Sequence, residues 1–194
     1  MSDIPHIETI FSIKKCSTLK IVDSIHKILL NYNFDIEIYS GFGYINEVED
    51  DDDENLSDNI LFDIDSKQDA DKFIKILKEN PTGGSLKYSA IRGFYETKDN
   101  PDFYPYDLIV SYYSFDNQTI EGVLMTIREE TYNYFESLFD EINKTIYDEI
   151  KPLKAYKRRE TDASEIGEKI LELYLKGNLT QSIIKEQKLE ELFS

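Results

Sequence analysis

The chain has 194 residues, 40% of them hydrophobic and 31% charged, and it carries 14 Tyr and 11 Phe. That is enough apolar and aromatic matter to build a core, and it excludes a disordered chain. The formal net charge of −17 excludes a simple nucleic-acid or anionic-membrane binder and favours a basic protein partner. Cys16 is the one cysteine, so no internal disulfide forms. The first residues lack a basic start followed by an apolar run, and no stretch approaches the ~18 apolar residues of a membrane span. The expectation is a soluble cytoplasmic protein.

In chain order, residues 7–15 alternate as a strand. Residues 17–33 follow as a helix, with Ile21, Val22, Ile25, Ile28 and Leu29 on one face and Ser17 or Thr18 as cap. Residues 34–40 read as a half-buried strand that presents Phe34, Ile36 and Ile38 to one side. After "GFGYI" comes the acidic run 46–59, and then a strand at 59–65. Ser66 caps a helix over 67–80, with Asp69 near its positive end and Phe73, Ile74 and Leu77 on its apolar face. "PTGG" stops that helix and 85–96 reads as a strand. Residues 106–114 and 119–127 are joined by a short polar turn, which suggests an antiparallel hairpin. The clearest helix spans 128–150, with a stripe of Phe135, Leu138, Phe139, Ile142, Ile146 and Ile150. The basic stretch 151–160 breaks the pattern and reads as a link that clamps onto acidic surface. Two helices follow, one to Lys176 and one from Leu179, separated by Gly177 and Asn178.

This order predicts an α+β fold: a mainly antiparallel sheet of five or six strands, helices on one face, and a C-terminal helical pair. The expected division is a core domain over 1–156, with an acidic loop at 46–58, and a helical appendage over 157–194. The two early strand–helix–strand blocks carry no residue-level repeat that would mark a duplication.

Chemical motifs are tested against spacing. A calcium loop needs Gly at its sixth position and Glu at its twelfth. Counted from Asp50, Asp51 or Asp53, the acidic run offers neither. His6, His26 and Cys16 lack zinc-ligand spacing, and Cys16 has no base assigned to it by the sequence. The glycines of "SGFGY" and "PTGGSLK" lead into acid and into a strand, not into a phosphate-binding helix. No nucleophile elbow is present. Asp35 with Glu37, and Asp63 with Asp65, alternate on strands and could pair as carboxylates, but they also fit outward faces. No catalytic, metal or cofactor residue is assigned.

Two features remain for a partner. The acidic run supplies Glu47, Glu49, Asp50, Asp51, Asp52, Asp53 and Glu54. The aromatic stretch 92–113 supplies Tyr95, Tyr104, Tyr106 and Tyr113, with Phe94, Phe103 and Tyr112 nearby. Aromatic rings beside carboxylates suit an interface that receives Lys or Arg. The expectation is a noncatalytic acidic protein that inhibits or neutralises a basic partner, such as an immunity protein or a nucleic-acid-mimicking inhibitor. The alternatives are a small metal-dependent enzyme using surface carboxylates, or a structural or regulatory subunit docking through its C-terminal helices. Those helices could also join copies of the chain.

Overall fold

The computed structural model describes residues 4–38, 41–46, 60–96, 98, 103–160 and 166–193. Residues that alternate between apolar and polar, or run apolar throughout, become strands: β1 (His6–Cys16), β2 (Phe34–Ile36), β3 (Gly41–Ile45), β4 (Ile60–Ile64), β5 (Gly83–Ala90), β6 (Leu108–Tyr113), β7 (Ile120–Arg128), β8 (Lys154–Glu160) and β9 (Glu190–Glu191). Segments with apolar residues at three- and four-residue spacing become helices: α1 (Thr18–Asn31), α2 (Lys67–Glu79), α3 (Glu129–Tyr134), α4 (Glu136–Ile150), α5 (Ile166–Leu175) and α6 (Gln181–Glu186). The strands form one sheet in the order β4-β3-β5-β6-β7-β1-β8-β9. Every pairing among the described strands is antiparallel. Along one side of β5, β3 pairs with the first half and β2 with the second.

Strand alternation divides the sheet into two faces. On the first, Phe11, Leu86, Tyr88, Val110, Tyr112 and Val123 meet the apolar stripes of three helices. Those stripes are Ile21, Val22, Ile25 and Leu29 of α1, Phe73 and Leu77 of α2, and Phe139, Ile142 and Ile146 of α4. Burying each such large side chain contributes roughly 1.5–3 kcal/mol, so this core holds the fold together. On the second face, Ile10, Leu124 and Tyr156 meet Ile170 and Leu171 of α5, and Leu189. Ser66 caps α2 as its sequence suggests, accepting a hydrogen bond from the Asp69 N–H at 3.2 Å.

The α+β class and the antiparallel sheet match the sequence, but several expectations change. The sheet has nine strands among the described residues, not five or six. The additional strands are β3, from "GFGYI", β8, from the basic stretch, and the short β9. Ala155, Tyr156, Arg158 and Glu160 are buried in β8, where Arg158 meets Glu8, so these residues are sheet and not a clamp. The expected boundary after residue 156 falls inside this strand. Helices also cover both faces, because α5 packs on β1 and β7 from the side opposite α1 and α4. Finally, the long helix is broken at Phe135, whose N–H bonds to both Thr131 and Tyr132 carbonyls, so that α3 and α4 are separate.

Close approaches explain the glycines of "SGFGY". A Cβ on Gly43 would lie 2.3 Å from the Phe73 ring, so glycine lets α2 settle on β3. These glycines belong to a strand and not to a phosphate loop.

Candidate functional site

The two ends of the sheet differ in chemistry. Glu47, Glu49, Asp50, Asp51, Asp52, Asp53 and Glu54 lie outside the described residues. The strands they join, β3 and β4, are antiparallel neighbours with Ile45 paired to Ile60. The acidic run therefore joins paired strands, instead of separating two strand–helix–strand blocks. Ile45 also pairs with Gly84 at the start of β5, and the aromatic residues gather beyond the other end of that strand. Gly84 and Ala90 are separated along β5 by roughly 20 Å.

Of the four tyrosines expected at a partner surface, Tyr113 stays at the first end. It pairs with Gly83 and Gly122 and packs against the second core. Tyr95, Tyr104 and Tyr106 go to the far end. Tyr104 and Tyr106 lie 5.8 Å apart. Tyr95 packs against Phe34 and Phe135 at 6.0 and 6.3 Å, and its hydroxyl donates to the Tyr32 carbonyl. The rings continue outward: Phe103 stacks on Phe135 at 5.6 Å and meets Tyr134 edge-on at 4.6 Å.

Basic residues join these rings. The chain has four arginines, Arg92, Arg128, Arg158 and Arg159. All four fall toward this end, since Arg92 follows β5, Arg128 closes β7, and Arg158 and Arg159 stand near the end of β8. The Arg92 guanidinium lies over the Tyr104 ring at 5.2 Å and that of Arg128 over Tyr106 at 5.4 Å, favourable cation–π placements. Arg159 pairs with Glu129.

Asp107 is the hub beneath them. Its backbone is left-handed, with φ of 58°, a strained choice for a residue with a side chain. Lys87 reaches it at 2.6 Å and Arg128 at 2.8 Å, while Lys87 also contacts Glu37 at 3.2 Å. The result is a ladder of alternating charge, Glu37–Lys87–Asp107–Arg128, across neighbouring segments of the sheet. Burial works to lower the Lys87 pKa, but Asp107 and Glu37 outweigh it and the pKa stands above the ordinary lysine value. Lys87 therefore stays an ammonium, suited to holding structure and unsuited to nucleophilic attack.

This end is also apolar at its surface. Ile4, Leu30, Ile91, Phe94 and Tyr134 are half of the exposed large apolar side chains among the described residues, with Phe94 58% and Tyr134 51% exposed. Each belongs to a segment that enters or leaves the sheet here. Sequence reading found Tyr104, Tyr106 and Phe103 but not their assembly with Arg92, Arg128, Asp107 and Tyr134. The missed signal was the scarcity of arginine, because these residues are far apart in the chain and only strand order brings them together.

The chemical alternatives fare as follows. Asp35 holds Lys67 at 2.9 Å, and Glu37 is taken by Lys87 and the Ser89 hydroxyl. His26 lies 3.2 Å from the Tyr88 hydroxyl, and burial lowers its pKa. Among the described residues no group of three or more His, Cys, Asp or Glu can hold a metal ion. No described helix is long and apolar enough to cross a membrane.

A separate charged group lies buried on the second face, beneath α5. The Arg158 guanidinium is 3.3 Å from Glu8 and 3.9 Å from Glu160. Neither contact has hydrogen-bond geometry, and Arg158 Nε and Nη1 and Glu8 Oε2 are buried without hydrogen-bond partners. Burial, reinforced by the neighbouring Glu160, pushes the Glu8 pKa up to about 8, because two carboxylates and one cation leave an excess negative charge away from water. Gly167 permits α5 to close over this group, since a Cβ there would lie 3.1 Å from Glu8 Oε2.

No family model matches the chain, and no curated protein matches it. Among the solved structures similar to it are two of low identity. One is a Pseudomonas aeruginosa T6SS protein, 9% identical with a TM-score of 0.48; the likeness covers 92% of this chain and 47% of that one. The chain thus spans about half the length of that structure. The other is the crystal structure of the toxic C-terminal tip of CdiA from Pseudomonas aeruginosa in complex with immune protein. There the identity is 13% and the TM-score 0.39, over 85% of this chain and 91% of that one. The chemistry of the surface therefore rests on this chain's own residues.

Proposed function

We propose that this chain is a noncatalytic binding protein that neutralises a basic partner protein by covering its working surface, in the manner of an immunity protein or a nucleic-acid-mimicking inhibitor. The observation that carries this reading is the sheet end where Tyr95, Tyr104, Tyr106, Phe103 and Tyr134 gather with Arg92 and Arg128. Tyr and Arg are the residues most enriched where binding energy concentrates, and exposed apolar rings beside them mark a contact surface. The acidic flank adds steering. Glu136, Asp140 and Glu141 are exposed on α4, the helix that follows Tyr134 in the chain. A net charge of −17 draws in a basic partner from a distance.

The test is reconstitution. A partner recovered with the tagged chain is identified by mass spectrometry and purified, and its affinity and activity are measured with and without this chain. The reading expects a basic partner whose activity is suppressed at equimolar addition. It also expects the Phe94→Ala/Tyr134→Ala double variant to weaken affinity by about 30-fold or more, the scale of losing a hot spot. An acidic partner, or a basic one that stays fully active when bound, would overturn it.

A further inference from the structure

The two lateral edges of the sheet are treated differently. At one, β9 pairs with β8, and the Leu192 N–H bonds to the Ala155 carbonyl, so the chain's own C-terminal segment closes that edge. At the other, β4 pairs with β3 on its inner side, and no described residue pairs with its outer side. Proteins blunt open edges with Lys, Pro, a bulge or a covering segment. The β4 sequence, Ile60-Leu61-Phe62-Asp63-Ile64, has neither Lys nor Pro, and it runs against β3 in unbroken register. Its apolar side chains are unusually open, with Ile60 44% and Leu61 54% exposed.

We propose that the outer edge of β4 is a strand-addition site, which takes an extended segment of a partner protein bearing lysine or arginine as a further antiparallel strand. The backbone N–H and C=O groups of an open edge supply sequence-independent affinity, and the side chains supply the choice of partner. Pairing brings same-face residues opposite each other. An incoming strand therefore meets Ile60, Phe62 and Ile64 on the face toward α2, and Leu61 and Asp63 on the other. Apolar residues suit every position except that opposite Asp63, where a cation fits. Asp65 follows directly and is also exposed, which places a second cation one step beyond the strand. A second copy of this chain is the poorer occupant, since it brings the same acids and another −17. A five-residue edge alone also falls far short of the roughly 1,200–2,000 Å² that stable interfaces bury.

The proposal shares with the proposed function only the sign of the partner's charge, and it is tested without that partner. The probe is a blocked peptide, Lys-Val-Lys-Val-Thr-Ile-Lys, added to the full-length isotope-labelled chain; the control replaces each of its lysines with glutamate. The expected result is shift changes and slowed amide exchange over 60–64 with the lysine peptide, weakening as salt rises. The β8–β9 edge should not respond. Leu61→Lys, at an exposed position, should keep the melting temperature and weaken the peptide by up to about fivefold, the scale of one cross-strand pair. Glu190→Lys, on the other edge, should leave peptide binding unchanged. An absence of response over 60–64, an equal response to the glutamate peptide, or indifference to Leu61→Lys would overturn the proposal. A neutralised partner together with a silent β4 edge would leave the proposed function standing and remove this site alone.

Discussion

Glu8 shows how one side chain sets a pH dependence. Its folded-state pKa, near 8, is above its unfolded value of 4.5. The folded chain therefore holds a proton that the unfolded chain has lost, and the stability this supplies is complete below the unfolded value and fades as pH rises through the folded one. Guanidinium unfolding between about pH 5 and 9 should show declining stability toward alkaline pH. Glu8→Gln keeps the shape without the charge, and it should flatten that decline. An undiminished slope in the variant would assign the dependence to another group. Arg158 is the counterpart. Replacing it with Ala leaves Glu8 and Glu160 without their cation and should cost on the order of 3 kcal/mol at neutral pH, measured the same way. Neither role was legible in the sequence. Glu8 sits in an ordinary alternating strand, and Arg158 in a stretch that reads as a basic link clamped onto acidic surface. Only the β1–β8 pairing, which sets Glu8 opposite Arg158, reveals them.

Elements with strong local signals were legible. The apolar stripe of α1 is buried where spacing put it, and Ser66 caps α2. Ser66→Ala should lower stability by about 1 kcal/mol, the ordinary worth of such a cap, read as a shift of the denaturation midpoint with unchanged slope. Elements decided by their neighbours were not legible. β9 is two residues long, too short for a period to show, and it exists because β8 offers it an edge. The Phe135 break divides a continuous helical stripe because the ring is held among Tyr95, Phe103 and Tyr134. Packing also governs Gly43. A methyl there meets the buried Phe73 ring, so Gly43→Ala should destabilise by roughly 1–3 kcal/mol, the usual cost of overpacking. Thermal unfolding would check it, and a companion Phe73→Leu change should recover part of the loss if the ring is the obstacle.

At the scale of the whole molecule, the attachment of the acidic run and the contact chemistry are separated. The acidic run begins and ends at the β3–β4 end of the sheet, whereas the arginines and exposed rings gather at the other. Composition made the acidity plain from the start. The contact surface was only half visible, because Tyr104 and Tyr106 are close in sequence while Arg128 and Tyr134 reach them through strand order. The two parts should act on different rate constants. Reversing the charges at 47–54 should slow association with a basic partner by about tenfold at low salt and leave dissociation nearly unchanged. Substitutions at Phe94 and Tyr134 should do the opposite and speed dissociation. Stopped-flow measurements across a salt series separate the two, and equal effects on both rates from either change would show that the ends do not divide the work.

The place of β1 carries a consequence for how the chain is made. It is the first strand in sequence, yet it lies between β7 and β8, whose residues are 120–128 and 154–160. On a ribosome, β1 must wait while more than a hundred further residues are added, several seconds or more at about 5–20 residues per second. Throughout that interval the apolar stretch around Ile7, Ile10, Phe11 and Ile13 has neither of its native neighbours. Newly made chains are thus most exposed to misassociation through β1. Slower elongation, or a bulky fusion ahead of β1, should reduce the soluble yield more than comparable changes near β9.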